Sequence, residues 1–321
     1  MSTPFIGIAM ATYNPLLPYF IGQISSLRKQ TYKNWKCIIV DDRSSEENLK
    51  LIQDVIGDDP RFEIHRNETN LGSFKTFERA LQLIPQDAEY ICYCDQDDIW
   101  QEAKLEVQVA VLQDPSIALV HSDQSLIDEK NRVFAPSCWE LEGRRVRDAS
   151  TDLLLFRNLI TGCTSMFRRG VLETALPFYP LRERREMYHH DMWVAMHACV
   201  HGRVIGLEEP LVFYRQHRGN LVGVASVKRD RQFRKLTSRA CLAFTERWGL
   251  RKDFIQSLKQ NELQKQQEKK LRYLDHPLEL LLYGSKHIVK HPVFLRTLIM
   301  LGVGLLKFKQ HQRLSPMSRA Q

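Results

Sequence analysis

The chain has 321 residues, 43% of them apolar and 26% charged, enough for a sizeable core, which excludes disorder and collagen-like repetition. A net charge of +8 suggests a polyanionic partner until it is divided. Residues 1–227 hold 25 Lys or Arg against 31 Asp or Glu, and residues 228–321 hold 21 against 7, so an acidic body precedes a strongly basic tail.

The N-terminus, Met1-Ser2-Thr3-Pro4, leads straight into an apolar run at 5–11 with no leader-like segment, and 5–11 is expected to be a buried strand. Leu17, Phe20, Ile21, Ile24 and Leu27 follow at helical spacing. Strands are then expected at 36–40, 61–65 and 90–94, alternating with helices at 46–56, 73–83 and 101–112, and a further strand at 117–121. This alternation predicts a mainly parallel sheet covered on both faces, with ligands beyond the carboxyl ends of the strands. Residues 134–150 read as irregular and Arg-rich. The pattern resumes with a strand at 164–167, a helix at 191–200 and short strands at 203–205 and 211–214. Beyond residue 227, long Lys/Arg/Gln-rich helical stretches are expected, then a basic and apolar segment over 277–314. Its apolar core, 293–306, contains Arg296 and is too short to span a bilayer, though it suits lying on one. The seven cysteines are odd in number and scattered, with no zinc-type spacing, and fit a reducing compartment.

Polar and acidic residues gather at the expected strand ends: Thr12-Tyr13-Asn14, Asp41-Asp42-Arg43-Ser44 and Asp95-Gln96-Asp97-Asp98. Carboxylates at i and i+2 after a strand can converge on one hard cation that keeps its other positions for water and phosphate oxygens. An acidic turn capping the following helix is the competing reading.

The ordered set Ile8-Ala9-Met10-Ala11-Thr12-Tyr13-Asn14, Gln30-Thr31-Tyr32-Lys33-Asn34-Trp35, Val40-Asp41-Asp42-Arg43-Ser44, Asn70-Leu71-Gly72 and Asp95-Gln96-Asp97-Asp98-Ile99-Trp100 closely resembles family 2 glycosyltransferases. With His190-Asp191-Met192-Trp193 and Tyr214-Arg215-Gln216-His217, the nearest likeness is to bacterial rhamnosyltransferases of surface-polysaccharide assembly. The resemblance implies an α/β GT-A fold, Rossmann-like, with a mostly parallel sheet flanked by helices and inversion at the anomeric carbon. It implies a catalytic domain over 1–227, split into a nucleotide-sugar half (1–121) and an acceptor and base half (122–227), with a basic amphipathic helical extension over 228–321.

Residue by residue, the resemblance puts Thr12, Tyr13 and Asn14 against the nucleotide, and Asp42, with Asp41, at a pyrimidine edge where a carboxylate accepts N3–H. Asp95 and Asp97 would hold ribose and Mg²⁺ or Mn²⁺, with Asp97 the direct ligand. Asp191 occupies the position of the base, with His190 where many members have Glu; capping of the following helix is its structural alternative. His217 would meet metal or diphosphate with Arg215 and Arg218 as phosphate partners, or belong to a basic surface loop. Gly162, Cys163 and Thr164 would border the acceptor together with His190 and Trp193, although helix packing suits Trp193 better.

The implied partners are a nucleotide-sugar donor, a lipid-linked or polysaccharide acceptor, and an anionic membrane surface met by the tail, with no nucleic acid. The implied location is cytoplasmic, peripheral on the inner membrane. The competing readings are a nucleotidyltransferase or nucleotide-sugar hydrolase using the same acidic strand ends, and a nucleic-acid-binding protein acting through the tail. The tail itself also suits packing on the body or on another subunit.

Overall fold

The computed structural model describes residues 3–144, 148–151, 154, 158–178, 189–217, 220, 254 and 257. The expected extension over 228–321 lies outside the described residues apart from Phe254 and Ser257, as do Arg218 and residues 179–188. The chain divides into two compact units: Met1–Thr151, Leu159–Phe178 and Tyr188–Ser226 form one, and Asp152–Asn158, Tyr179–Met187 and Val227–Gln321 the other. The elements below belong to the first.

The strands are β1 (Ile6–Thr12), β2 (Trp35–Asp41), β3 (Phe62–Arg66), β4 (Tyr90–Cys94), β5 (Ile99–Trp100), β6 (Ile117–Ile127), β7 (Val133–Ala135), β8 (Asp148–Ala149), β9 (Ser165–Arg168) and β10 (Arg203–Arg215). The helices are α1 (Leu17–Arg28), α2 (Glu46–Ile56), α3 (Ser73–Leu83), α4 (Lys104–Leu112), α5 (Cys138–Leu141), α6 (Leu172–Ala175) and α7 (His190–His201). Ten strands form one sheet in the order β3-β2-β1-β4-β9-β6-β10-β5, with β7 on β6 and β8 on β10. β3, β2, β1 and β4 run parallel, β9 is antiparallel to both its neighbours, and β6 and β10 are parallel.

Composition and burial explain the parallel half. Ile6, Ile8, Ala9 and Met10 of β1 and Cys37, Ile38, Ile39 and Val40 of β2 are all fully buried, as strands covered on both faces must be. Phe20, Ile24 and Leu27 of α1 and Phe77, Ala80 and Leu81 of α3 supply covering apolar stripes. Each Phe, Leu and Ile side chain among them contributes about 1.5–3 kcal/mol of burial free energy. Ser45 caps α2 by accepting from Asn48 N at 3.2 Å. Gly7 permits close packing, since a Cβ there would meet Ile84 Cγ2 at 2.5 Å.

The chain runs outward from β1 through β2 to β3 and then returns to place β4 on the other side of β1. Strand order therefore reverses between β1 and β4, which opens a crevice beyond their carboxyl ends. Thr12 and Asp95 lie at that crevice.

Several expected boundaries change. The segments at 203–205 and 211–214 are one strand, β10, with register shifts between Leu207 and Val212 around Glu208-Glu209-Pro210. Ile99–Trp100, adjoining the expected helix start, pairs antiparallel with Val212–Phe213, and α4 begins only at Lys104. β6 continues to Ile127 through the buried polar run His121-Ser122-Asp123-Gln124-Ser125. The stretch read as irregular contains β7, α5 and β8. Among the described residues, no helix is long and apolar enough to cross a membrane.

Candidate active site

At the end of β1 the backbone turns sharply. Asn14 adopts φ 40, a left-handed conformation that Asn tolerates better than most residues. Its amide donates to Ser44 Oγ at 2.8 Å, and its Oδ1 accepts from Ser45 N at 3.0 Å, tying the β1 turn to the start of α2. Tyr13 is 51% exposed, and Gln96 brackets its peptide: Tyr13 N donates to Gln96 Oε1 at 2.8 Å and Gln96 Nε2 donates to Tyr13 O at 3.3 Å. The β1 and β4 ends are thereby fastened together.

The acids after β2 face inward. Asp41 Oδ2 accepts from Ser44 N at 3.0 Å and lies 3.5 Å from Arg66 Nε, while its Oδ1 accepts from Thr12 Oγ1 at 3.5 Å. Asp42 Oδ1 accepts from Asn67 Nδ2 and Leu71 N, both at 2.7 Å, and its Oδ2 from Gly72 N at 2.8 Å. Asp42 is 3% exposed, and these donors leave little acceptor capacity on it. Through these bonds Asp42 anchors the loop leading into α3.

The acidic segment after β4 divides by depth. Asp98 is fully buried and accepts from Arg215 N at 3.1 Å; burial, then the charges of Asp97 and Asp95, hold its carboxyl well above the usual carboxylate range. Asp95 is partly buried and is pushed up to about 7, first by burial, then by Asp97 and Asp191. Asp97 opens onto a cleft of about 340 Å³ lined by Tyr13, Asn14, Tyr19, Gln96, Glu129 and His217, among others. Its Oδ2 lies 2.8 Å from His217 Nε2.

Arg215 does not reach outward. Its Nε donates to Asp97 O at 2.8 Å, and its Nη1 donates to Asp128 O at 3.2 Å and Asn131 Oδ1 at 2.5 Å. The guanidinium stacks 4.4 Å from the Tyr19 ring centroid, and the residue is 1% exposed. Arg215 thus braces the acidic segment from behind.

Asp191 stands in the first turn of α7, where helix polarity favours an anion. The N-cap is His189 rather than Asp191. Asp191 Oδ2 accepts from Gly162 N at 3.0 Å and Oδ1 from Met192 N at 2.6 Å. Gly162 permits the close approach: a Cβ there would stand 3.0 Å from His190 Nε2 and 3.5 Å from Asp191 Cβ. His190 stacks on Phe77 at 3.9 Å and meets Tyr93 edge-on at 4.6 Å, and burial pushes its imidazole down to about 4, leaving it neutral near pH 7. Trp193 is 1% exposed and donates Nε1–H to Ala175 O at 2.9 Å, a packing role.

The sequence profile of the family described as "Glycosyl transferase family 2" matches residues 7–176, more than half of the chain. The chain belongs to this family. Among curated relatives, the Escherichia coli UDP-Glc:alpha-D-GlcNAc-diphosphoundecaprenol beta-1,3-glucosyltransferase WfgD is 29% identical over 133 residues, covering 41% of this chain and 51% of that protein. The chain spans about half the length of the first curated relatives it matches.

Among solved structures, Staphylococcus aureus TarS 1–349 in complex with UDP-GlcNAc aligns with TM-score 0.58 and 15% identity over 89% of this chain and 73% of that one. The Pyrobaculum calidifontis mannosyltransferase PcManGT with GDP-Man and Mn²⁺ aligns with TM-score 0.52 and 14% identity over 95% and 87%. These likenesses concern the fold, and they agree with the expected GT-A architecture.

In this family 2 domain, Asp95, Asp97, Asp191, His190, Gly162 and Cys163 gather around the β4 end, and Tyr13, Asn14, Asp97 and His217 share the cleft. Thr12, Asp41, Asp42 and Arg215 are each 3% exposed or less, and Trp193 belongs to the core. A different potential metal group, Asp95, Asp98 and Cys163, has ligand atoms within 4.8 Å of one another. The Cys163 thiol is fully buried and pushed well above its usual range, and a protonated thiol suits Mg²⁺ or Mn²⁺ less well than the harder pair at the cleft. Sequence reasoning gave no separate role to Gln96, Tyr19, Glu129 or Asn67. Gln96 lay within the acidic motif; Glu129 and Asn67 stand in connections, where sequence carries little signal.

Proposed function

We propose that the protein is a metal-dependent inverting glycosyltransferase. It transfers a sugar from a nucleoside-diphosphate donor to a hydroxyl of a lipid-linked or polysaccharide acceptor in cell-surface glycan assembly. The observation that carries this reading is the placement of Asp191, whose oxygen is held by the Gly162 amide at 3.0 Å and whose charge is felt at Asp95, in a domain of family 2. One carboxylate is thus oriented by backbone donors beside the acidic strand end.

The donor set fits a divalent cation. Asp97 Oδ2 and His217 Nε2 stand 2.8 Å apart at the cleft, near the ~3 Å separation of adjacent ligands around an ion with bonds of about 2.1 Å. Asp95 is held by its neighbours in a state that a cation would relieve. Asp97 and His217 would hold Mg²⁺ or Mn²⁺, with Asp95 in the same acidic segment, and the ion would offset negative charge on the departing diphosphate. Tyr13 and Asn14 would border the nucleotide. Asp191 takes the proton from the acceptor hydroxyl as its oxygen bonds to the anomeric carbon, while the bond from that carbon to the diphosphate oxygen breaks on the opposite face. Gly162, Cys163, Thr164 and His190 would form the acceptor side.

A dTDP- or UDP-linked donor with rhamnose as the sugar follows from the motif likeness to rhamnosyltransferases. Thermal stabilisation by a panel of nucleotide sugars with Mg²⁺ or Mn²⁺, followed by analysis of the glycosylated product, tests the proposal; release of free sugar alone would favour a hydrolase. The basic composition of residues 228–321 supports attraction to an anionic membrane surface. Flotation with anionic vesicles across a salt series tests it.

A further inference from the structure

Helix α4 buries Leu105, Val109 and Leu112, as its pattern demands, but also Lys104 and Gln108, both 0% exposed. Polar side chains buried this deeply are costly unless they are partnered. Lys104 Nζ donates to Gln108 Oε1 at 2.9 Å and lies 3.8 Å from the Trp100 ring centroid. Gln108 Nε2 donates to Thr164 O at 2.6 Å. These two bonds orient the Gln108 amide with its oxygen toward Lys104 and its NH₂ toward Thr164.

Thr164 closes the short turn Gly162–Thr164. Within it, Thr164 Oγ1 donates to Thr161 O and Ser165 Oγ donates to Gly162 O, both at 2.8 Å. The same turn presents Gly162 N to Asp191 Oδ2 at 3.0 Å, and its central residue, Cys163, lies with Asp95 and Asp98 in the 4.8 Å group. One small turn therefore touches the base on one side and the acidic strand end on the other, and α4 holds it from behind.

We propose that Lys104 and Gln108 are positioning residues that set Asp191 relative to Asp95 and Asp97 through the 162–164 turn. The proposal rests on the glycosyl-transfer reading of Asp191 for its kinetic consequence; its structural consequence, restraint of the Gly162 amide, stands apart from that reading. Neither side chain lines the cleft, so their loss affects turnover and leaves nucleotide binding unchanged.

The test compares wild type with Gln108→Met, Gln108→Glu and the double variant Lys104→Met/Gln108→Met. Gln108→Glu keeps an acceptor for Lys104 and turns an oxygen toward the Thr164 carbonyl; the double variant removes the orphaned ammonium. Turnover is read from nucleoside-diphosphate release with dTDP-rhamnose and UDP-glucose as donors, nucleotide affinity from titration with UDP and Mn²⁺, and restraint from hydrogen exchange at the Gly162 amide.

The expected result is a kcat about 10- to 100-fold below wild type, the scale of a small misplacement of a reacting group, with donor KM and UDP affinity within about twofold. Exchange at Gly162 should be faster, and the double variant should melt near wild type while keeping the kcat defect. Wild-type kcat in the folded double variant, or wild-type protection at Gly162, overturns the proposal. If wild type releases no nucleoside diphosphate, the transfer reading fails, and the Gly162 exchange still decides whether α4 restrains the turn.

Discussion

Replacing Asp95 by Asn should stabilise the protein while removing activity. Asp95 is partly buried, and burial with the charges of Asp97 and Asp191 pushes its carboxyl from 3.8 to about 7. An acid whose folded-state pKa is raised holds its proton more tightly when folded, so its contribution is present at low pH. That contribution falls as pH rises from about 4 through about 7 and is level above. At roughly 1.4 kcal/mol per pH unit, a shift of this size sets a ceiling of about 4 kcal/mol at pH 8. Residual solvent contact and sharing of repulsion with Asp97 and Asp191 reduce this to about 1–3 kcal/mol.

Asn keeps the side-chain shape without the charge. For a domain of this size, the variant should melt about 2–10 °C higher than wild type at pH 8 in EDTA, with the difference shrinking toward zero near pH 4–5. Mn²⁺ should narrow the gap at pH 8 by stabilising wild type more than the variant. Calorimetry or thermal fluorescence at pH 5, 6, 7 and 8 measures this. A pH-independent difference, or a variant less stable than wild type at pH 8, would refute the electrostatic reasoning.

Asp97→Ala should leave the melting temperature in EDTA within about 2 °C of wild type, because Asp97 lies at the cleft, and should abolish both transfer and Mn²⁺-dependent stabilisation; full activity with added Mn²⁺ would remove it from the metal site. Arg215→Lys should cost about 2–4 kcal/mol in denaturant unfolding, since the ammonium cannot satisfy the Asp97, Asp128 and Asn131 oxygens that the guanidinium bridges. Unchanged stability with a raised donor KM would restore Arg215 to the phosphates. Gly162→Ala places a methyl 3.0 Å from His190 Nε2 and should lower kcat about 10- to 100-fold with nucleotide affinity retained; a wild-type rate would show that the Gly162 approach is not needed for turnover.

The parallel half of the fold was legible because Ile8, Ile39 and Ile91 lie in short, continuously apolar runs bounded by polar turns. The expected helices at 46–56 and 73–83 coincide with α2 and α3 because their buried apolar residues, Ile52 and Ile56 and Phe77, Ala80 and Leu81, recur at helical spacing. Legibility ended where burial and polarity part company. His121 to Ser125 read as a strand's end yet lie inside β6, and Glu208-Glu209-Pro210 read as a break yet only shift the register of β10.

The acidic strand ends were visible, but residue type does not reveal the donors that a carboxylate accepts from its own chain, three of them at Asp42. Nor does residue type reveal the carbonyl oxygens that the Arg215 guanidinium meets, which suit it as a phosphate does. Lys104 and Gln108 gave no sequence signal, because Lys and Gln on a helix suggest a solvated face.

The central claim is that Asp191 is the base of glycosyl transfer, and Asp191→Asn tests it most directly, with donor affinity and single-turnover transfer measured on the same preparation. Asn can still accept from the Gly162 amide but cannot take the acceptor proton. Nucleotide-sugar affinity should be unchanged and transfer slowed by about 10²- to 10⁴-fold. A wild-type rate of transfer in Asp191→Asn would contradict the claim.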